Sequence, residues 1–126
     1  MFAGVFQDFL HEDDILKPVN VGLCGLGTVG SGTFNVMKRN LDEISRRAGR
    51  PVRITHIGAR RDHPDCDTTG ITVSRDIFAV TKDPEVDIVV ELIGGYDVAR
   101  DLVLTAIENG KHVVTANKAL IAEHGN

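Results

Sequence analysis

The stretch Val19-Asn20-Val21-Gly22-Leu23-Cys24-Gly25-Leu26-Gly27-Thr28-Val29-Gly30 decides how this chain reads: a short apolar strand runs into G-L-G-T-V-G and out into a helical pattern. Strand, glycine turn and helix in that order hold a dinucleotide pyrophosphate. Gly25 permits the tight turn, Gly27 lets the backbone approach the phosphates with no side chain in the way, and Gly30 lets the helix lie close on the strand. The helix start offers the anion free amides and roughly +0.5 of an elementary charge. Gly25, Leu26, Gly27, Thr28, Val29 and Gly30 are therefore candidate cofactor-binding residues. A lone G-x-G-x-x-G is a weak signal, but this one has its strand and its helix.

Downstream, Phe34, Met37, Leu41, Ile44 and Ala48 recur at spacings of three and four, which predicts one long amphipathic helix stopped by Gly49 and Pro51. Residues 52–59 then alternate and turn apolar at Ile57-Gly58-Ala59, as a second parallel strand would. Residues 60–70 read as a polar loop, and residues 71–73 as a short extra strand or none. A short helix around Asp76, Ile77, Phe78 and Val80 ends near Asp83-Pro84, and residues 86–92 form the clearest strand of the chain. Asp97 is placed to cap the next helix, with Val98, Leu102, Val103, Ala106 and Ile107 on one face and Gly110 as its stop. Residues 112–115 read as a further buried strand, and residues 118–123 as the start of another helix.

Strands alternating with helices, with a phosphate loop after the first strand, give an α/β fold: a doubly wound parallel sheet of the Rossmann dinucleotide-binding type. A full dinucleotide fold has about six strands, so the chain reads as truncated at its C-terminus. Residues 18–126 form the incomplete NAD(P)-binding domain and residues 1–17 an N-terminal extension. Phe2, Phe6, Phe9 and Leu10 suit either a frayed tail or a short docking helix.

With 42% hydrophobic and 25% charged residues, the 126 residues have the balance of a soluble globular domain. A net charge of −4 with both signs interspersed argues against a nucleic-acid surface. No run of about 18 apolar residues offers a membrane span. Cys24 and Cys66, the two cysteines, have no CxxC or metal-like spacing, so no metal is expected and a reducing cytoplasm is the default compartment.

The end of the second strand meets the adenosine ribose in folds of this type, where Asp or Glu favours NAD and Arg accommodates the extra phosphate of NADP. Here it reads Gly58-Ala59-Arg60-Arg61-Asp62. Two guanidinium groups can form charge-assisted bonds to a phosphate, each worth roughly 1.5–3 kcal/mol, which points to NADP(H), or to dual use with NAD(H). The competing reading makes Arg60 and Arg61 solvated loop charges and turns Asp62 to the ribose. Glu91 ends the central strand on the ligand side; a catalytic carboxylate there competes with one that merely accepts bonds from loop amides, and no partner acid can be named. Ile93-Gly94-Gly95 is small enough for close approach to a flat nicotinamide ring, and Lys118 follows the last strand either as a ligand-side ammonium or as an exposed helix-start lysine. His56, His63 and His112 show no spacing for a metal or for a nucleophile's base, and no Ser-His-Asp set can be inferred.

Three segments together resemble homoserine dehydrogenase in order and spacing: residues 22–30 as quoted above, Val90-Glu91-Leu92-Ile93-Gly94-Gly95, and His112-Val113-Val114-Thr115-Ala116-Asn117-Lys118-Ala119-Leu120. The last is the most specific, and the resemblance runs from about Pro18 to Asn126. It implies reduction of L-aspartate 4-semialdehyde to L-homoserine with NADPH or NADH, on the path to threonine, methionine and isoleucine. It places Gly27, Thr28 and Val29 on the pyrophosphate, Ala59 and Arg60 at the adenosine end, Ile93 on the nicotinamide side, and Lys118 at the cofactor and active-site mouth. The groups that hold the substrate and move its proton, and the dimerising region, lie in the family beyond this stretch. The resemblance thus implies nucleotide binding without turnover, no catalytic residue in this chain, and a homo-oligomer only with the downstream region.

Two other readings stand beside it. An oxidoreductase of the glucose-fructose type shares a Gly110-Lys111-His112-Val113-like run but usually continues Glu-Lys-Pro, where this chain has Ala116-Asn117-Lys118-Ala119. A nucleotide-sensing module without catalysis would need a linker or second binding motif, which the sequence does not offer.

Overall fold

The computed structural model describes residues 17–93 and 97–115. Among them five strands and four helices follow in the order β1 (Val19–Cys24), α1 (Thr28–Arg39), α2 (Leu41–Ala48), β2 (Val52–Gly58), β3 (Thr72–Ser74), α3 (Phe78–Lys82), β4 (Ile88–Glu91), α4 (Asp97–Glu108), β5 (His112–Thr115). Every strand pairing is parallel and the sheet order is β3-β2-β1-β4-β5. The chain winds outward from β1 to β3, crosses back, and winds the other way through β4 and β5. The point of reversal lies between the carboxyl ends of β1 and β4, where open α/β sheets bind ligands.

Both faces of the sheet are covered, and each has its own core. Phe34, Met37 and Ala48 of α1 and α2 pack on Val21, Leu23, Ile57 and Val90 on one side. Val80, Leu102 and Ala106 of α3 and α4 pack on Cys24, Val86 and Val89 on the other. This double cover explains why β4 is buried along its whole length and reads as an unbroken apolar run.

The single long helix expected from the stripe of residues 34–48 is two helices. Asn40, at φ −107° and ψ 11°, ends α1 and begins α2. Its amide side chain donates to the Val36 carbonyl at 2.7 Å, its own backbone amide reaches the carbonyls of Val36 and Met37, and its carbonyl accepts the Ile44 amide. A short amide side chain competing for helix carbonyls explains the interruption. The apolar stripe continues across it because the bend is one residue long.

β2 carries a second irregularity: Val21 pairs with Ile54, but Gly22 pairs with His56, so Thr55 is an extra residue. Without it Ile57 would point to the opposite face from Val52 and Ile54; with it all three join one core. The loop segment whose strand character was open forms β3, paired in register with His56–Gly58. Asp76 begins the short helix region by accepting the Phe78 amide on Oδ1 at 2.9 Å.

Asp97 stands in the first turn of α4, and the cap expected of it turns on residues 94–96, which lie outside the described residues. Two further expectations at this end change. The inward face of α4 is Ala99, Leu102 and Ala106, whereas Val98 and Ile107 are 41% and 57% exposed and so are not core. β5 is not fully buried: His112 is exposed and Val113, Val114 and Thr115 are half-buried, because among the described residues β5 has a neighbour on one side only. The N-terminal segment and the helix expected from Lys118 lie outside the described residues.

Candidate dinucleotide-binding site

The glycine turn sits at the reversal point, held on three sides. The Gly25 amide donates to the Gly58 carbonyl at the end of β2, and the Leu92 amide after β4 donates to the Cys24 carbonyl, both at 2.9 Å. Gly25 has φ +97°, and a side chain there would also lie 3.0 Å from Ile93 Cγ1. Only glycine meets both demands. Leu26 is buried and anchors the turn in the α1/α2 core.

Gly27 and Gly30 are constrained in opposite ways. A Cβ on Gly27 would have no neighbour within 4 Å, so this backbone faces open space. A Cβ on Gly30 would be 2.1 Å from the Gly25 carbonyl oxygen, so the first turn of α1 rests on the turn itself. The Ser31 amide is bonded to the Gly27 carbonyl at 2.7 Å, and the amides before it precede any i−4 partner. The first turn of α1 contains no acidic residue and the helix has no side-chain cap, so neither competes with an incoming anion.

A cleft of about 500 Å³ opens over Gly27 and is lined by Gly25, Leu26, Arg60, Arg61, His63, Ile77, Leu92, Ile93 and Val98 as well. A second, of about 220 Å³, continues past Leu26 to Ala59, Asp62, Thr68 and Arg75, with Arg61 and His63 shared. Of the residues singled out in the sequence, Gly25, Leu26, Gly27, Arg60, Arg61 and Ile93 meet in the first cleft and Ala59 lines the second. Thr28 and Val29 contribute helix backbone, and Gly30 lies buried behind the turn. Gly94 and Lys118 lie outside the described residues.

Arg60 and Arg61 are exposed and have no acidic partner among the described residues. Asp62 is paired with Arg75, whose second guanidinium nitrogen donates to the Ala59 carbonyl at 3.3 Å. The sequence gives no signal for Arg75, and none that places His63 in the clefts. Arg75 follows a strand of three residues, and only the pairing of that strand with β2 brings it to the end of the sheet where Arg60 sits. The loop between is tied down on α1: Asn35 donates to the Asp65 carbonyl at 3.4 Å, Lys38 pairs with Asp67 at 3.4 Å, and Cys66 is buried beneath.

Glu91 is fully buried, and its oxygens accept the Ile93 amide at 2.6 Å and the Thr115 hydroxyl. It fixes the turn after β4 and joins β4 to β5, as a carboxylate that accepts bonds from loop groups does. Burial, and after it the nearby charge of Glu91, pushes the Cys24 thiol up to about 12. Its Sγ donates to the Ile77 carbonyl at 3.6 Å.

The structure also assembles a Ser-His-Asp set that spacing did not disclose. His56 Nδ1 lies 2.8 Å from Asp83 Oδ2 and Nε2 lies 2.7 Å from Ser74 Oγ. Neither cleft is lined by any of the three. The set ties β2, β3 and the residue that ends α3, and so holds the strand end that presents Arg75. Among the described residues no group of His, Cys, Asp and Glu could hold a metal, and no helix is long and apolar enough to cross a membrane.

An open glycine backbone at an uncapped helix start, beside two guanidinium groups with no acidic partner among the described residues, fits a dinucleotide. The comparisons agree. The family model described as "Homoserine dehydrogenase, NAD binding domain" matches residues 25–126. The homoserine dehydrogenase of Pseudomonas aeruginosa is 66% identical over 111 residues, covering 88% of this chain and 26% of that protein. That of Bacillus subtilis is 35% identical over 113 residues, with the same two coverages of 88% and 26%. Among solved structures, a homoserine dehydrogenase from Thiobacillus denitrificans is similar at a TM-score of 0.76 and 54% identity, covering 87% of this chain and 26% of that one. The S. aureus enzyme gives 0.73 and 36%, covering 86% and 28%. The chain therefore spans 26% of the length of each of these two curated relatives. With a family model that runs from the glycine turn onward and relatives up to 66% identical over the same stretch, the chain belongs to the homoserine dehydrogenase family and corresponds to its NAD-binding domain.

Proposed function

We propose that residues 18–126 hold NADPH, and NADH less tightly, for a longer protein that reduces L-aspartate 4-semialdehyde to L-homoserine in the cytoplasm. The observation that carries this reading is the open face of Gly27 at the start of α1, continuous with a cleft into which Arg60 and Arg61 bring positive charge. Gly25 and Gly30 shape the turn, while Gly27 and the backbone of Leu26, Thr28 and Val29 hold the pyrophosphate. Ala59, Arg60 and Arg61 hold the adenosine end, and Ile93 with Gly94 borders the nicotinamide. Lys118 stands at the active-site mouth by resemblance to the family. When bound, the nicotinamide supplies the hydride for carbonyl reduction.

The chain's own residues bind and orient. Glu91 fixes the Ile93 amide and so the wall of the cleft, and Gly25 lets that wall close on the turn. Substrate positioning, proton transfer and homo-oligomerisation belong to the rest of the longer protein, and residues 1–17 are an extension to the domain. These 126 residues bind nucleotide without turning substrate over.

A fluorescence titration with NADPH and NADH in parallel tests the reading. Saturable binding, tighter for NADPH, is expected. Failure to saturate with either nucleotide, by a chain whose circular dichroism shows its helices and strands, would overturn it.

A further inference from the structure

Three guanidinium groups gather where β2 and β3 end side by side. The parallel register of His56–Gly58 with Thr72–Ser74 sets Arg60, Arg61 and Arg75 at one end of the sheet, and Arg61, Asp62 and Arg75 all line the smaller cleft. Among the described residues the acidic partner of these three arginines is one carboxylate, Asp62 on Arg75. The two ends of that pair are held differently. Arg75 is anchored by its bond to the Ala59 carbonyl, whereas the Asp62 side chain is 85% exposed and can swing into solvent.

Exposed ion pairs of this kind are weak and exchange readily. A phosphate monoester competes well for such a guanidinium, because it carries nearly two negative charges and three acceptor oxygens and pairs with arginine through two parallel bonds.

We propose that Arg75 is a specificity-determining residue of the nucleotide site, and that Asp62 is a displaceable internal stand-in for the phosphate that distinguishes NADPH from NADH. In the free protein Asp62 occupies the Arg75 guanidinium. The 2′-phosphate takes its place, and Asp62 turns outward, so the carboxylate that would repel the phosphate leaves as the phosphate arrives. NADH has only a hydroxyl at that position and leaves the pair closed, so one site accepts both cofactors. The proposal rests on the reading that the end of β2 receives the adenosine ribose.

The test is titration of this chain with NADPH and NADH, comparing the parent with Arg75→Ala, Asp62→Asn and the double variant. Arg75→Ala is expected to weaken NADPH by roughly 10- to 150-fold with little effect on NADH. Asp62→Asn is expected to strengthen NADPH by about 1.5- to 5-fold, the worth of the competing pair, and that gain should vanish in the Arg75→Ala background. Arg75→Lys, which keeps the charge and loses the fork, should fall between parent and Arg75→Ala, and it replaces Arg75→Ala if that variant's circular dichroism is altered. Equal weakening of both cofactors by the Arg75 variants would mean a purely structural role. An Asp62→Asn variant that binds NADPH no better than the parent would refute the displacement. A parent chain that binds the two cofactors equally would instead overturn the underlying placement of the ribose.

Discussion

Gly27→Ala and Gly30→Ala add the same methyl group three residues apart and should fail in different ways. At Gly27, φ is −81°, which any residue adopts, and the new Cβ meets nothing within 4 Å. Folding stability should stay within about 0.5 kcal/mol of the parent. That methyl group nevertheless projects from the backbone on which the pyrophosphate is proposed to lie. Holding the phosphates off the first-turn amides removes at least one charge-assisted hydrogen bond, about 1.5–3 kcal/mol, or roughly 10- to 150-fold in affinity for NADPH and NADH alike. At Gly30 the Cβ would lie 2.1 Å from the Gly25 oxygen and 3.0 Å from its carbon. Both are main-chain atoms at the end of the central strand, so helix and turn must separate, at a cost of about 1–3 kcal/mol in stability. Urea denaturation followed by circular dichroism reads the first quantity and nucleotide fluorescence the second. A Gly27→Ala chain that binds as the parent does would refute the placement of the pyrophosphate, and a Gly30→Ala chain as stable as the parent would refute the contact between helix and turn.

Arg60→Ala should weaken NADPH by about 10- to 150-fold and leave NADH nearly unchanged; equal loss of both in a titration would remove Arg60 from the phosphate site. Phe34→Ala should cost about 3–5 kcal/mol, because the ring is fully buried between helix and sheet, whereas Val36→Ala, at a side chain that is 48% exposed, should stay within about 0.5 kcal/mol; denaturation midpoints that move together would argue against the helix orientation. Burial alone would raise the Asp83 carboxyl, but the Glu85 amide, the His56 ring and Lys111 outweigh it and hold the group below its ordinary value of 3.8. A carboxylate depressed in this way contributes stability that is present above about pH 4 and lost as pH falls through its lower folded value. Asp83→Asn should therefore be less stable than the parent near neutrality and lose less on acidification, and parallel stability profiles from pH 7 to low pH would count against the network.

The parts of this molecule written in local order could be read without coordinates. Residues 19–30 announce strand, turn and helix because Gly25 and Gly30 answer demands made within the turn, and Val86 to Leu92 announces a strand because both its faces are covered. Asn40 hid because a one-residue break preserves the spacing of Phe34, Met37, Leu41 and Ile44, which is all that periodicity registers. Thr55 hid because a bulge alters which face a residue takes, and only the pairing with β1 reveals it. On α4 an arc broad enough to hold Val98 and Ile107 looked inward, yet burial follows the narrower line of Ala99, Leu102 and Ala106. Arg60 and Arg61 could be named from their place after an expected strand. The Asp62–Arg75 pair and the His56–Ser74–Asp83 set join residues on separate segments, and no sequence interval predicts them.

Cys24 has a use that comes from its inertness. Alkylating reagents act on thiolates, and a thiol buried beneath the glycine turn and pushed up to about 12 has almost none at neutral pH. Each labelling event at Cys24 therefore records a moment when the central strand has let go. Cys66, packed under the 60–70 loop on the opposite face, records a shallower event, the peeling of that loop from α1. Two native thiols thus serve as two clocks, one for the release of the adenosine-end loop and one for the opening of the sheet, and a nucleotide seated on the turn should slow the second in proportion to how far its concentration exceeds its Kd.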